Sequence, residues 1–561
     1  MKKERNGGKG YKLRIISLGG LNQIGKNITV FEYEDDIIVI DCGVSFPDDN
    51  MLGVDLVIPD FTYLERNADK IRGLILTHGH EDHIGAVPFF LKTINVPVYG
   101  TTLTLGILEN KLEEHGLKRK CELVEVPLGD TVKLGCFSIE FVTVNHSIPD
   151  AAALAITTPL GVVVHSGDFK IDLTPPEGNP IDLARLARLG SKGVLALLCE
   201  STNVERPGFT PSESVVSSFF DRIFYNCEKR VIIATFSTNV HRVSQIINAS
   251  IAHGRKVAIT GRSMQNIVKA ALRLGYLNVP EGVIIDVTEC KRYNPSQITL
   301  ITTGSQGEPM SALYRMAFGD HNQVTVDEND LIILSSSPIP GNEKLVYNII
   351  NELMKRGAQI VNDDVDEVHV SGHACREELK IMHSLIKPKF FIPIHGEYRH
   401  LKKHAELAIQ MGMKETNVLV SEVGKIIELS KTKMKTAGMI QTNTVLVDGN
   451  GVGEVGLSVL RDRKRLAEDG LVVVAASIER LGRYILGEPE IMTRGFVYEK
   501  ESETLITEVK AFVEKHLTER LDNRANNIDA IKNWLKDALS SFLYSKTKRK
   551  PMIITILMEV D

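Results

Sequence analysis

At 561 residues the chain is longer than one hydrophobic core supports, since cores stop growing near about 250 to 300 residues, so two to four domains are expected. With 43% hydrophobic and 24% charged residues and a net charge of −5, it has the composition of a soluble globular protein, which excludes a generally basic nucleic-acid binder but not a local basic channel. No apolar run approaches the roughly 18 residues that span a bilayer, and no long apolar core follows the basic start "MKKERNGGKG", so neither membrane span nor secretory signal is expected and a cytoplasmic location is the default.

Short strand-like runs, "DDIIVIDCG", "RGLILTHGH", "FSIEFVTVNHS" and "GVVVHSGDF", recur through the first 170 residues, separated by turns and by helix-like stretches such as "TLTLGILENKLEEHGL". This texture predicts sheets covered by helices. From about 209 to 368 the pattern becomes strand-helix alternation ("RVIIATFST", "VHRVSQIINASIAHG", "KVAITG", "MQNIVKAALRLGY"), which predicts parallel βαβ units in a separate domain. Near 440 a third region begins. There "TNTVLVDGNGVG" and "GLVVVAASI" precede two amphipathic helices, "SETLITEVKAFVEKHL" and "IDAIKNWLKDALSSFLYS", and a closing strand, "PMIITILMEV", while "LSKTKMKTAGM" reads as a linker. The cysteines (Cys42, Cys121, Cys136, Cys199, Cys227, Cys290, Cys375) are odd in number, scattered and free of C-x-x-C pairs, so they read as reduced fillers.

Near the start, "GGLNQIGKN" imitates a phosphate-binding loop, but Asn27 stands where a hydroxyl should meet magnesium, and the segment joins two strand-like runs. A glycine-rich hairpin turn is preferred. The stretch "LTHGHEDHIGA" is different: His78 to His83 holds three histidines and two carboxylates in six positions, at a strand end and before a helix. Such a loop turns alternate side chains into one pocket. Imidazoles and carboxylates are ligands that zinc and manganese accept, and this density exceeds what one tetrahedral ion takes from one loop, so two metals are implied.

The pattern His-x-His-x-Asp-His resembles the metallo-β-lactamase superfamily. By that resemblance "VNHSIPD" supplies His146, "VVHSGDF" supplies Asp168, "IPIHGEYRH" supplies His395, and Asp41 of "IVIDCG" supports the metal loop. His78, His80 and His146 are then expected to hold one ion, Asp82, His83 and His395 the other, with Asp168 spanning both. The late position of His395 implies an inserted domain, as in the β-CASP nucleases, whose acidic motif matches Glu200 in "LLCEST", where many relatives carry aspartate, and whose next motif matches His373 in "VHVSGHA". A histidine at 395 favours RNA over DNA. Further stretches, among them "FPDDNMLGVDLVIPD", "TTGSQGEPMSAL", "SSSPIPGN", "PIHGEYRHLKKHA" and "KRKPMIITILM", are similar to the bacterial ribonuclease J family in its catalytically active form, over nearly the whole chain.

The resemblance implies an α/β protein: a metallo-β-lactamase αββα sandwich (1–208 and 369–432), an inserted β-CASP α/β domain (209–368), a linker (433–448) and a small C-terminal α+β dimerisation domain (449–561). It implies a metal-dependent ribonuclease with 5′-to-3′ exonuclease activity on 5′-monophosphorylated single-stranded RNA and endonuclease activity, in mRNA decay and rRNA maturation. Two divalent ions are expected, zinc first, with manganese or magnesium as alternatives. Asp168 and His373 are the catalytic candidates, His373 as proton donor to the leaving 3′ oxygen, or otherwise as a residue orienting a ligand. Phe236, Ser237 and Thr238 with His369, Val370, Ser371, Gly372 and His373 match the family's nucleotide and 5′-phosphate pocket. A structural calcium is placed by resemblance at Gly53, Asp55 and Asp448, against the reading of an Asp/Gly turn. A homodimer is expected, with a tetramer or a complex with a paralogue as alternatives, and no membrane partner. The basic runs "RDRKR" and "SKTKRK" can meet phosphates or form solvated faces. Rival readings are a lactonase- or thioesterase-type hydrolase, or a weakly active RNA-binding subunit of a degradation complex.

Overall fold

The computed structural model describes residues 11–48, 50–339, 341–363, 368–449, 451–479, 484–496, 503–522 and 527–560; the amino-terminal stretch considered above as a signal lies outside them. Two compact units are present: Met1–Ser45 with Ile58–Thr444, and Phe46–Val57 with Val445–Asp561.

In the first unit, apolar strands face one another across a two-sheet core. Leu13, Ile15, Phe31, Ile38, Ile40 and Ile75 come from an eight-stranded sheet, and Phe141, Leu154, Ile156, Ala196, Phe390 and Ile392 from a six-stranded one. Helices Leu183–Lys192 and Arg376–Ile386 cover the outer face of the second sheet through Leu186, Leu189, Leu379 and Met382. This is the αββα sandwich. The chain leaves the second sheet at the end of Val194–Glu200 and returns on Phe390–Ile394, its parallel neighbour, with Glu200 opposite Ile394. An insertion between adjacent strands leaves the ladder intact, and brings residues far apart in sequence to the same sheet end.

The inserted segment carries a six-stranded parallel sheet in the order Ile284–Ile285, Lys256–Ile259, Ile298–Thr302, Arg230–Ala234, Asp330–Leu334, Gln359–Val361. Its central strands, such as Ile298–Thr302, are buried throughout, as expected where helices cover both faces. The alternation read from sequence corresponds to these βαβ units.

The second unit is built on two periodicities. In Leu471–Glu479 every second side chain is buried, and in helices Glu503–Asp522 and Ile528–Thr547 the buried residues recur every fourth position: Val509, Val513, Leu517, Leu521 and Ile531, Leu535, Leu539, Leu543. The helices pack on one face of a sheet ordered Tyr484–Arg494, Leu471–Glu479, Met552–Val560. The stretch 433–448, expected as a linker, instead holds strands Met434–Met439 and Val445–Asp448. Met434–Met439 pairs with Lys425–Leu429 at the sheet edge, where Lys435 and Thr436 suit an exposed strand, and that composition is what imitated a linker. Residues Phe46–Val57, read as part of the first domain, belong to the second unit, where Val54 and Val57 pack on Leu446.

Candidate active site

Every residue of the candidate metal centre sits in, or just beyond, a turn at a strand end. Strand Asp36–Ile40 runs into Asp41, whose positive φ of 59° aims its carboxylate at the neighbouring strand end. There it accepts from Thr77 N (2.8 Å) and pairs with His83 Nδ1 (2.8 Å). His78 and His80 follow strand Ile71–Ile75, and Asp82 and His83 lie on the short helix Glu81–Ile84. Asp168 follows Gly161–His165 through Gly167, whose φ of 55° and close approach to the Ala152 carbonyl leave no room for a side chain. His395 follows Phe390–Ile394, also at positive φ (51°).

The donor atoms converge in two principal groups, His78, His80 and His146, and Asp82, His83, Asp168 and His395, each within 4.8 Å of one another, and His146 and Asp168 form a third such group with His373. His80 Nδ1 lies 3.1 Å from His78 Nε2 and 3.0 Å from His146 Nε2, while Asp168 Oδ2 lies 3.1 Å from His83 Nε2 and 3.2 Å from His395 Nε2. Asp168 thus faces both groups, at 3.8 Å from His78 and 3.9 Å from His146.

The outer hydrogen bonds decide which nitrogens are free. The Gly372 carbonyl can only accept, so His146 Nδ1 (2.6 Å) carries its proton and Nε2 turns a lone pair inward. By the same reasoning, Asp41 fixes His83 and the Asn27 side-chain oxygen fixes His395 (Nδ1 to Oδ1, 3.0 Å). Their inward nitrogens face Asp168 at hydrogen-bond distance, so a proton must lie between each nitrogen and the carboxylate unless a cation takes its place. Burial, with neighbouring imidazoles, holds His78 and His146 well below the usual histidine range. His83 is driven the other way: the cost of burial is outweighed by the carboxylates of Asp168, Asp82 and Asp41. Asp168 stays ionised because His395 and His83 overcome its burial. The residues fit divalent metals.

His373 stands beside both groups. Its Nδ1 lies 2.9 Å from Glu200 Oε2 and 4.0 Å from Asp168 Oδ2, and Glu200, fully buried, accepts from Phe169 N (3.0 Å) through its other oxygen. Burial lowers the basicity of His373, but Glu200 and then Asp168 raise it to about 9. A bond from Nδ1 to Glu200 leaves Nε2 for a substrate oxygen. Beside His146 a cavity of about 430 Å³ opens between the sandwich and the inserted domain, lined by Asn145, Asp150, His241, Ser244 and Tyr276.

Of the candidate RNA contacts, Phe236 and Ser237 are half-buried, and Thr238 is buried, in the loop before helix Val240–Ala252. Val370 and Gly372 are buried, while His369, Ser371 and His373 are half-buried; the His373 amide is already taken by the Ser371 hydroxyl (3.2 Å). The residues assigned to calcium lie in the second unit. Asp55 accepts from Gly449 N (2.7 Å), and Asp448 is paired with Arg463, which also donates to the Leu52 carbonyl and lies against Gly53.

At the metal centre itself, Asn27 escaped the sequence reading. Asn27, set aside with the false phosphate loop, binds His395 through Oδ1 and the Asp82 carbonyl through Nδ2 (3.1 Å), so it aligns two metal ligands. The loop itself is a hairpin connection, as preferred, between Leu13–Ser17 and Thr29–Tyr33. Replacing Asn27 by Ala is expected to lower metal affinity about 10- to 100-fold without unfolding, a change that titration with a competing chelator measures.

Known proteins place this geometry. Family models match residues 22–198 (metallo-beta-lactamase superfamily), 228–353 (ribonuclease J, beta-CASP domain), 360–420 (Zn-dependent metallo-hydrolase RNA specificity domain) and 458–560 (ribonuclease J C-terminal domain). Ribonuclease J2 of Bacillus subtilis is 42% identical over 548 residues, covering 98% of this chain and 99% of its own. The chain belongs to the ribonuclease J family. Ribonuclease J 1 of Streptococcus pyogenes (42% identical; 98% of this chain, 98% of its own) and ribonuclease J of Thermus thermophilus (41%; 99% and 96%) match over the same extent. A crystal structure of a protein of unknown function from Enterococcus faecalis shares the fold, with a TM-score of 0.54 at 18% identity over 74% of this chain and all of that one. Family membership carries divalent metal binding with it, and among the described residues no helix is long and apolar enough to cross a membrane.

Proposed function

We propose that this member of the ribonuclease J family is a metal-dependent ribonuclease that removes nucleotides from the 5′ end of 5′-monophosphorylated RNA and also cuts internally. Within it, His78, His80 and His146 would hold one ion and Asp82, His83 and His395 the other, with Asp168 available to both. The observation that carries the reading is His373, brought by the chain beyond the inserted domain to the edge of the two principal ligand groups, which do not include it, with Nδ1 on Glu200 and, among the described residues, no hydrogen bond at Nε2. The bound metals supply Lewis acidity for attack on a phosphodiester. Asp41 and Asn27 orient the ligands, and Glu200 aims His373, which delivers a proton to the leaving 3′ oxygen. The inserted domain and His373 argue against a lactonase or thioesterase, since a small ester needs neither. The complete ligand set argues against a weakly active RNA-binding subunit of a degradation complex.

The 5′-phosphate pocket is assigned to Phe236, Ser237 and Thr238 with residues His369 to His373. Neutral donors in a confined space suit one phosphate better than three. RNA bearing a 5′ monophosphate should release mononucleotides stepwise, and the same RNA bearing a triphosphate should release them far more slowly while internal cuts persist. Equal release on a product ladder would refute phosphate reading. A calcium at Gly53, Asp55 and Asp448 remains part of this proposal, as do zinc as the working metal, action in mRNA decay and rRNA maturation, and a cytoplasmic location.

A homodimer joined through the C-terminal domain completes the reading. The sheet face opposite its helices exposes Ile554, Ile556, Met558 and Val560 with Leu486 and Met492, a row of apolar side chains on alternate positions. The double substitution Ile556→Glu, Met558→Lys is expected to yield monomers in light scattering. An unchanged dimer would move the interface elsewhere.

A further inference from the structure

The largest fully buried side chain is not at the metal centre. Arg242, on helix Val240–Ala252 of the inserted domain, has no exposed surface. Its Nε and Nη2 donate to Glu213 Oε1 (3.0 and 2.5 Å), and its Nη1 donates to the Val368 carbonyl (2.8 Å) and to Ser335 Oγ. Burying a guanidinium is costly, and an ion pair with Glu213 alone is replaceable by apolar groups. The bonds that remain identify what the charge serves.

Two of the segments assigned to substrate meet at this group. Phe236, Ser237 and Thr238 directly precede Asn239, which caps the helix by accepting from Arg242 N (3.0 Å). Val368 directly precedes His369–His373, and its carbonyl takes a second bond from Ser335 Oγ (2.6 Å). The far end of that loop is held by the segment that follows strand Val194–Glu200: Asn203 donates to Ser371 Oγ (2.8 Å) and Thr210 to the His373 carbonyl (2.7 Å). Arg242 therefore holds the near end. On its other side Glu213 approaches Lys170 (3.5 Å), two residues after Asp168, and Glu213 N is held by Asp172 (2.9 Å). One planar fork thus ties together the inserted domain, the loop bearing His373 and the strand end bearing Asp168.

We propose that Arg242 is a positioning residue that fixes the His369–His373 loop relative to the Phe236–Thr238 loop, so that RNA cleavage depends on a guanidinium that touches neither metal nor substrate. Lysine keeps the charge but not the fork, and cannot hold Glu213 and Val368 together. The inference rests on RNA being the substrate.

The test compares the unaltered protein with Arg242→Lys and with the double variant Arg242→Met, Glu213→Gln, which removes both charges. Metal content, thermal stability, and kcat and KM on one single-stranded RNA are measured for each. Both variants should keep the metal content of the unaltered protein. Arg242→Lys should lose about tenfold or more in kcat/KM, the weight of a buried charge-assisted bond. The double variant should recover thermal stability without recovering kcat/KM. Turnover that follows stability across the three proteins, undiminished kcat/KM in either variant, loss of a metal equivalent, or failure of both variants to fold would each overturn the proposal. Inactivity of the unaltered protein on RNA would instead contradict the ribonuclease reading.

Discussion

Asp168→Asn should abolish ribonuclease activity while leaving the protein folded. Asparagine matches aspartate in shape, so packing around a residue that is only 2% exposed survives. What is lost is the negative charge that faces His83 and His395 at 3.1 and 3.2 Å and stands within 4 Å of His78 and His146. This one carboxylate faces ligands of both groups, so turnover should fall roughly 10³-fold or more, about 4 kcal/mol of transition-state stabilisation. His78→Ala should act similarly through the first group. The checks are initial rates on RNA, beside circular dichroism and thermal melting that match the unaltered protein. Unimpaired turnover by Asp168→Asn would sink the assignment of Asp168 as the shared ligand.

His373→Ala should separate chemistry from metal binding. His373 lies near Asp168 but its hydrogen bond goes to Glu200, and the two principal ligand groups are complete without it. Single-turnover cleavage should slow by roughly 10²- to 10⁴-fold, the usual worth of a positioned proton donor. Metal content by elemental analysis should be unchanged. A variant that loses an ion would show His373 to be a ligand or the support of one. Glu200→Gln should produce a milder form of the same defect, because the amide still reaches His373 Nδ1 but no longer favours its protonated form.

The parts of this site that were legible in the sequence are those whose chemistry is written locally. His78 to His83 compress four ligands into six positions, and no buried strand needs such a loop for packing. His146, Asp168 and Glu200 each end an apolar run, so their place at a strand end could be read without knowing their partners. Asn27 could not be found this way. Its partner His395 lies 368 positions away, and the only local pattern, a glycine-rich loop, pointed to phosphate. Arg242 was hidden for a related reason: on a helix with alternating polar and apolar residues it reads as a surface cation, and only the tertiary fold buries it. The C-terminal helices were legible because their four-residue spacing is strict. Strand Met434–Met439 was not, since an edge strand exposing lysine and threonine has the composition of a connection.

The central claim is that the converging histidines and aspartates hold the metals on which RNA cleavage depends. The most direct measurement strips the purified protein with chelator, returns zinc, manganese or magnesium in measured equivalents, and follows both bound metal and cleavage of end-labelled 5′-monophosphorylated RNA. The stripped protein should be inert, with activity returning as the sites fill and levelling at two ions per chain. Cleavage that persists at full rate without metal, or that levels off with the sites empty, would contradict the account.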